Sequence, residues 1–300
     1  MDNRAAALNP RVERPFILPG LRPGRFGVLT SVGGAGKSFL AQLACVQMAA
    51  GLPILGGLWG AARPGGRAVI YLAREDDVED IADRIHSICD HLLLRSGAAF
   101  EAYAQNLVIC DARFLDAKND YGTIMPTDKA GAEIQPSLVV IDTLSRFLPP
   151  GTNENDAGHM TAIIEEIEDR VRIWGAACLA IHHTNKAAMS TFAQDADAAG
   201  TERGSVAISF AARAAWSLRR PSKNRAADHG IDDDCRDQYL ILEQTKRNLG
   251  PMDPDQWFTR DSNGVPKIKE TPLKVKGNVN AATPKKRHRM LSESTDRASA

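Results

Sequence analysis

Ser31-Val32-Gly33-Gly34-Ala35-Gly36-Lys37-Ser38 is the stretch on which the reading of this chain turns. An apolar run, Phe26-Gly27-Val28-Leu29-Thr30, stands before it, and residues 38–50 (SFLAQLACVQMAA) follow with apolar positions at helical spacing. A glycine-rich loop ending in Lys-Ser between a strand and a helix is what a phosphate-binding loop requires. Its glycines let backbone N–H groups turn inward around the β- and γ-phosphates. Lys37 brings a cation to them, Ser38 can ligate Mg²⁺, and the helix N-terminus adds its dipole. The residues expected to hold nucleotide here are Gly33, Gly34, Ala35, Gly36, Lys37, Ser38 and Phe39. Ser31 stands where such loops usually carry their first glycine, a position that mainly shapes the entry turn.

Outward from the loop, short apolar runs recur at 26–30, 68–72, 107–110, 138–142 and 177–181, each of a length that suits a strand buried on both faces of a parallel sheet. Residues 38–50, 78–95 and 157–174 carry helical periodicity between them, so the pattern alternates β and α units. After Arg203 the alternation fades. Runs at 212–218, 238–245, 256–260 and 265–268 predict antiparallel strands, with Asp261-Ser262-Asn263-Gly264 as a hairpin turn. The expected fold is therefore α/β, a mostly parallel central sheet flanked by helices with antiparallel strands at its C-terminal edge. Residues 1–20 read as an N-terminal arm, 21–270 as one ATPase-type domain, and 271–300 as a basic tail too poor in large apolar side chains to fold.

Composition narrows the function classes. Three hundred residues, 43% hydrophobic and 25% charged, suffice for a sizeable core. The formal net charge is zero, so any nucleic-acid contact must be local rather than a property of the whole surface. Five cysteines without a C-x-x-C pair predict reduced thiols and a cytoplasmic protein, and no apolar run approaches the roughly 18 residues of a membrane span.

Hydrolysis chemistry needs acidic groups near the loop. Leu138-Val139-Val140-Ile141-Asp142 offers a carboxylate at a strand end, where Asp142 would hold Mg²⁺ through water. Glu75, in Tyr71-Leu72-Ala73-Arg74-Glu75-Asp76-Asp77, is the candidate for orienting or deprotonating the attacking water. Alternatively, Glu75, Asp76 and Asp77 are N-terminal charges meeting the dipole of the next helix. His182 and His183 end the run 177–181 and are candidates for sensing the γ-phosphate, or are simply polar exit residues; further ligands for a metal are lacking at suitable spacing.

Together the motifs SVGGAGKS, VIYLARED, LVVIDTLSRF, LAIHHTNK, TERGS and TKRNLG resemble the plasmid-encoded RepA replicative helicases, hexameric motors with a RecA-like P-loop core, over roughly residues 15 to 270. The resemblance implies a homo-oligomeric, hexameric ring that hydrolyses ATP with Mg²⁺ at subunit interfaces. It also implies movement on single-stranded DNA and unwinding at a plasmid origin, with replication initiator proteins as possible partners. Position by position, it makes Lys37 and Ser38 the phosphate and Mg²⁺ ligands, Glu75 the catalytic carboxylate, Asp142 the second acid, and His182 or His183 the coupling residue. Arg213, in AARAAWSL, falls where the family has a cationic finger reaching into the neighbour's site. Lys246 and Arg247 resemble a basic pair that such helicases present to the adjacent nucleotide.

Thr184–Arg203 reads as a long polar loop, which in RecA-like motors faces the channel. Lys186, with Arg203 and Phe192, offers what little it has for strand binding; a solvent-exposed connector is the alternative. Two functions stand side by side: a ring helicase, and a RecA-like ATPase acting as a nucleotide-dependent regulator without unwinding. A small-molecule kinase is a weaker third, since no lid-like arginine cluster accompanies the loop.

Overall fold

The structure is a computed structural model, and it describes residues 15–112, 135–184 and 206–269, together with Leu8 and Glu133. Lys186, Phe192, Arg203 and the tail 271–300 therefore lie outside the described residues.

In chain order the elements are β1 (Phe26–Ser31), α1 (Lys37–Ala50), β2 (Val69–Ala73), α2 (Val78–His91), α3 (Gly97–Asn106), β3 (Leu107–Asp111), β4 (Leu138–Asp142), α4 (Leu144–Phe147), α5 (Ala157–Ile173), β5 (Ala177–His183), α6 (Val206–Ala211), β6 (Ala214–Arg219), α7 (Lys223–Asp228), β7 (Tyr239–Arg247), β8 (Gln256–Arg260) and β9 (Pro266–Lys269). The strands form one sheet in the order β3-β2-β4-β5-β1-β6-β7-β8-β9. Strands β3 to β6 in that order run parallel, and β7, β8 and β9 continue antiparallel.

One expectation is corrected here. The run 212–218 does form a strand, but β6 pairs in parallel with β1, Gly27 opposite Ala214 and Thr30 opposite Ser217. Only its other edge, toward β7, is antiparallel. The connection from β5 to β6, long enough for the crossover a parallel strand needs, ends in the short helix α6.

The alternation of side chains along each strand sorts the core into two layers. Leu29, Tyr71, Val140, Leu179 and Trp216 face one side, where α1, α2 and α3 cover them. Val28, Ile70, Ile141, Ala180 and Ala215 face the other, under α4, α5 and α6. Helix α1 is buried along nearly its whole length and is built of Ala, Leu, Cys, Val and Met, the composition of a helix covered all round. Ile17 and Leu18, expected in the N-terminal arm, are buried in the first layer, so the packed unit reaches back at least to residue 17.

The termini of α1 show how the sequence sets its limits. Gly36 caps its start at φ 90° and Gly51 its end at φ 74°, both in the left-handed region that side chains avoid. Among the described residues, no helix is long and apolar enough to cross a membrane.

Candidate nucleotide site

The strand order fixes where chemistry collects. β1, β4 and β5 all end at the same edge of the parallel sheet, so the loop after Ser31, the carboxylate of Asp142 and the imidazole of His183 come together there. β5 lies between β1 and β4, which leaves the width of one strand between the phosphate loop and Asp142.

Lys37, the first residue of α1, folds back over the loop. Its ammonium donates to the carbonyls of Ser31 and Val32, both at 3.3 Å, and to His183 Nδ1 at 3.1 Å. Burial lowers its pKa from 10.5 to about 8, against the opposing pull of Asp142 and Glu75. Because His183 Nδ1 accepts from Lys37, its Nε2 carries the proton and donates to Glu75 Oε2 at 3.2 Å. The same Glu75 oxygen accepts from Thr143 Oγ1 at 3.0 Å. A continuous hydrogen-bonded chain thus links Lys37, His183, Glu75 and Thr143.

The three acids of the ARED stretch separate. Asp77 caps α2, accepting from the Asp80 N–H at 3.0 Å, and Asp76 pairs with Arg84 at 2.5 Å. Glu75 alone turns to the site. Asp77 therefore fits the reading of these acids as charges at the start of the helix, and Glu75 is the one left facing the phosphate loop through His183.

Asp142 is buried and its carboxyl pKa is raised, chiefly by desolvation, with hydrogen bonds from Tyr71 and Ser38 acting the other way. The Tyr71 hydroxyl donates a short hydrogen bond to Asp142 Oδ2 and accepts from Gln42 Nε2 at 3.4 Å. Asp142 Oδ1 is buried and has no hydrogen-bond partner among the described residues. A buried carboxylate oxygen without a hydrogen bond, one strand's width from the phosphate loop, suits a hydrated divalent cation bound to an anion. No cluster of three or more His, Cys, Asp or Glu side chains suited to a metal occurs among the described residues.

The two histidines part company because neighbours on a strand face opposite ways. His183 joins the Lys37–Glu75 chain. His182 is buried on the other side, with Glu154 Oε2 at 3.9 Å and its Nδ1 without a hydrogen-bond partner among the described residues; burial holds its pKa down to about 4.

The three expected fingers lie at the opposite edge of the sheet. The Arg213 N–H donates to the Phe26 carbonyl at the start of β1, and Lys246 and Arg247 stand across from Ala215 and Ala214 at the start of β6. The five steps of β1 to Ser31 span about 16 Å at roughly 3.3 Å per residue, too far for these side chains to serve their own loop. Arg213 is half exposed, with Glu168 Oε1 at 3.9 Å, and lines a cleft of about 280 Å³ with Phe210 and Glu168. Lys246 donates to the carbonyls of Ser209 and Phe210 at 3.0 and 2.5 Å. Arg247 pairs with Asp253 at 2.9 Å and donates to the Leu249 carbonyl.

Sequence reasoning missed Tyr71, Thr143 and Arg260. Tyr71 stands in a buried strand and reads as core. Thr143 follows Asp142 without a motif of its own. Arg260, at the end of β8, donates through Nη2 to the Ala35 carbonyl at 2.8 Å, a contact between residues 225 positions apart.

Residues 2–189 match the family described as AAA domain. Among solved structures, a KaiC-like protein from the hyperthermophilic archaeon Pyrococcus horikoshii OT3 is similar, with a TM-score of 0.52 at 16% identity, over 87% of this chain and 100% of that one. The RadB recombinase aligns with a TM-score of 0.46 at 11% identity, over 83% of this chain and 93% of that one. At these identities, the first likeness speaks to the fold.

Proposed function

Because this chain belongs to the AAA domain family, we propose that its nucleotide site hydrolyses ATP with Mg²⁺ and does so in a head-to-tail ring that works as a helicase on single-stranded DNA. The observation that carries the hydrolytic part is the chain from Lys37 through His183 to Glu75. Backbone N–H groups of 33–36 and the Lys37 ammonium bind the phosphates, and Ser38 and Asp142 hold Mg²⁺, which when bound supplies further neutralisation of phosphate charge. Glu75 orients and deprotonates the attacking water. An arriving γ-phosphate competes with His183 for Lys37, so His183 is the better candidate of the two histidines for reporting nucleotide state to the segment that follows it.

The ring part rests on Arg213. It stands half exposed at the edge far from its own loop, where a neighbour's site could receive it, and one interface repeated head to tail closes into a ring. Lys186 and Arg203 are the proposed strand contacts. The finer assignment, a plasmid-type replicative helicase resembling RepA in the reducing cytoplasm, rests on the motif resemblance. The test is ATP turnover with and without single-stranded DNA, beside strand displacement on a forked duplex. Stimulation and displacement, both lost in Lys37→Ala, are expected. Turnover indifferent to DNA, with no displacement, defeats the helicase reading and leaves the ATPase.

One observation favours the second reading, a regulatory ATPase without unwinding. Lys246 and Arg247 are both engaged within their own chain, which leaves Arg213 as the freest of the three candidate fingers.

A further inference from the structure

We propose that Arg260 is a positioning residue for the phosphate loop, holding the Ala35–Gly36 peptide so that its N–H faces the nucleotide; this rests on the nucleotide-binding reading above. Among the described residues the only cis peptide is Asp142–Thr143, so the Ala35–Gly36 peptide is trans. In a trans peptide, C=O and N–H point in opposite directions. The Arg260 guanidinium takes the Ala35 carbonyl at 2.8 Å, which leaves the Gly36 N–H of the same peptide pointing away from Arg260. Gly36 sits at φ 90°, and a Cβ there would come within 3.2 Å of Arg260 Nη2, so the guanidinium lies against the glycine that turns the loop into α1.

The arginine is itself held in place. It closes β8, paired across the hairpin with Pro266. The turn after it is tied by Asp261, whose Oδ1 accepts from the N–H groups of Asn263 and Val265, both at 2.9 Å. Asp261 Oδ2 meets His91 Nδ1, at the end of α2, at 3.2 Å. Gly264 lies against Phe39, the third residue of α1, where an added Cβ would touch the ring at 3.4 Å. The hairpin is thus fixed to the start of α1 and to the end of α2, and Arg260 carries that fixation to one peptide of the phosphate loop.

A charge-assisted hydrogen bond that orders a loop acts on binding. Removing it weakens ground state and transition state alike, raising KM with little change in kcat. Arg260→Ala and Arg260→Lys are compared with the wild-type chain and with Lys37→Ala, using a fluorescent ATP analogue for Kd, steady-state turnover for KM and kcat, and thermal unfolding of the nucleotide-free protein. The expected result is a Kd and KM raised about tenfold or more in Arg260→Ala, kcat within a few-fold of wild type, and partial recovery in Arg260→Lys. Wild-type binding that is lost in Lys37→Ala but kept within twofold in both Arg260 variants overturns the proposal alone. A lower melting temperature in Arg260→Ala with unchanged Kd does the same, reducing Arg260 to a packing residue. Absence of nucleotide binding by the wild-type chain overturns the nucleotide-binding reading and this proposal with it.

Discussion

Replacing Lys37 by methionine should make the empty protein more stable while removing its response to nucleotide. The ammonium is buried, and its fall from 10.5 to about 8 corresponds to about 3 kcal/mol of disfavoured charge at neutral pH. Three long hydrogen bonds oppose that cost, and their loss is cushioned. The Ser31 carbonyl keeps the Thr184 N–H at 2.9 Å, and the Val32 carbonyl keeps the Ser31 hydroxyl at 2.9 Å. Methionine fills the same channel with an unbranched apolar chain. With about 1–2 kcal/mol returned for the lost bonds, a net gain of roughly 1–2 kcal/mol remains, or about 2–8 °C in melting temperature for a domain of this size. Thermal unfolding at pH 7, with and without Mg²⁺ and ATP, measures both halves. A melting temperature that falls in nucleotide-free Lys37→Met refutes the argument that the ammonium is held at a cost, and a persisting nucleotide-induced rise refutes its role on phosphate.

Glu75→Gln should bind nucleotide near the wild-type level but lose turnover by about 10²-fold or more, whereas Asp76→Asn should leave turnover largely intact; the reverse outcome, read from single-turnover rates and analogue binding, moves the base by one residue. Nucleotide affinity should fall as pH rises above about 8, because the empty-site Lys37 loses its proton there and must recover it to meet phosphate. The nucleotide-free fold moves the other way: the unfolded chain keeps that proton up to about 10.5, so this group adds stability as pH climbs between the two values. Calorimetric titration in two buffers of different ionisation enthalpy detects the proton uptake. Tyr71→Phe takes away the donor to Asp142 Oδ2 and should cost about 1–3 kcal/mol in denaturant unfolding, together with a weaker dependence of binding on Mg²⁺; an unchanged unfolding midpoint counts against the buried pair.

Much of this architecture was legible because it is repetitive. Four of the five predicted parallel strands are short buried apolar runs, while β3, expected to be buried on both faces, is half-buried because it forms the edge of the sheet; the phosphate loop announces itself by glycine spacing between a strand and a helix. Helix α3 escaped because GAAFEAYAQN is rich in small residues and has little amphipathic contrast. The direction of β6 escaped because a run such as Ala214–Leu218 fits either orientation, and its parallel partner β1 lies far away in the sequence. In the site, Lys37, Glu75, Asp142 and His183 converge because each closes or follows a strand that ends at the same edge. Arg260 could not be read beforehand, since its contact with Ala35 depends on how the terminal hairpin folds back on α1. Arg213, Lys246 and Arg247 were recognisable by motif, yet only their positions at the far edge separate the half-exposed Arg213 from two cations already engaged at home.

The claim that the site is completed by a second copy is tested most directly by mixing two inactive chains. Lys37→Ala lacks a working phosphate loop but keeps Arg213, and Arg213→Ala has the reverse. Each alone should be nearly inactive. A random equimolar mixture places an intact loop against an intact arginine at about a quarter of head-to-tail interfaces, so ATP turnover should recover toward about a quarter of the wild-type rate. Full turnover by Arg213→Ala alone, or wild-type turnover per chain that stays constant on dilution to monomers, contradicts the shared site.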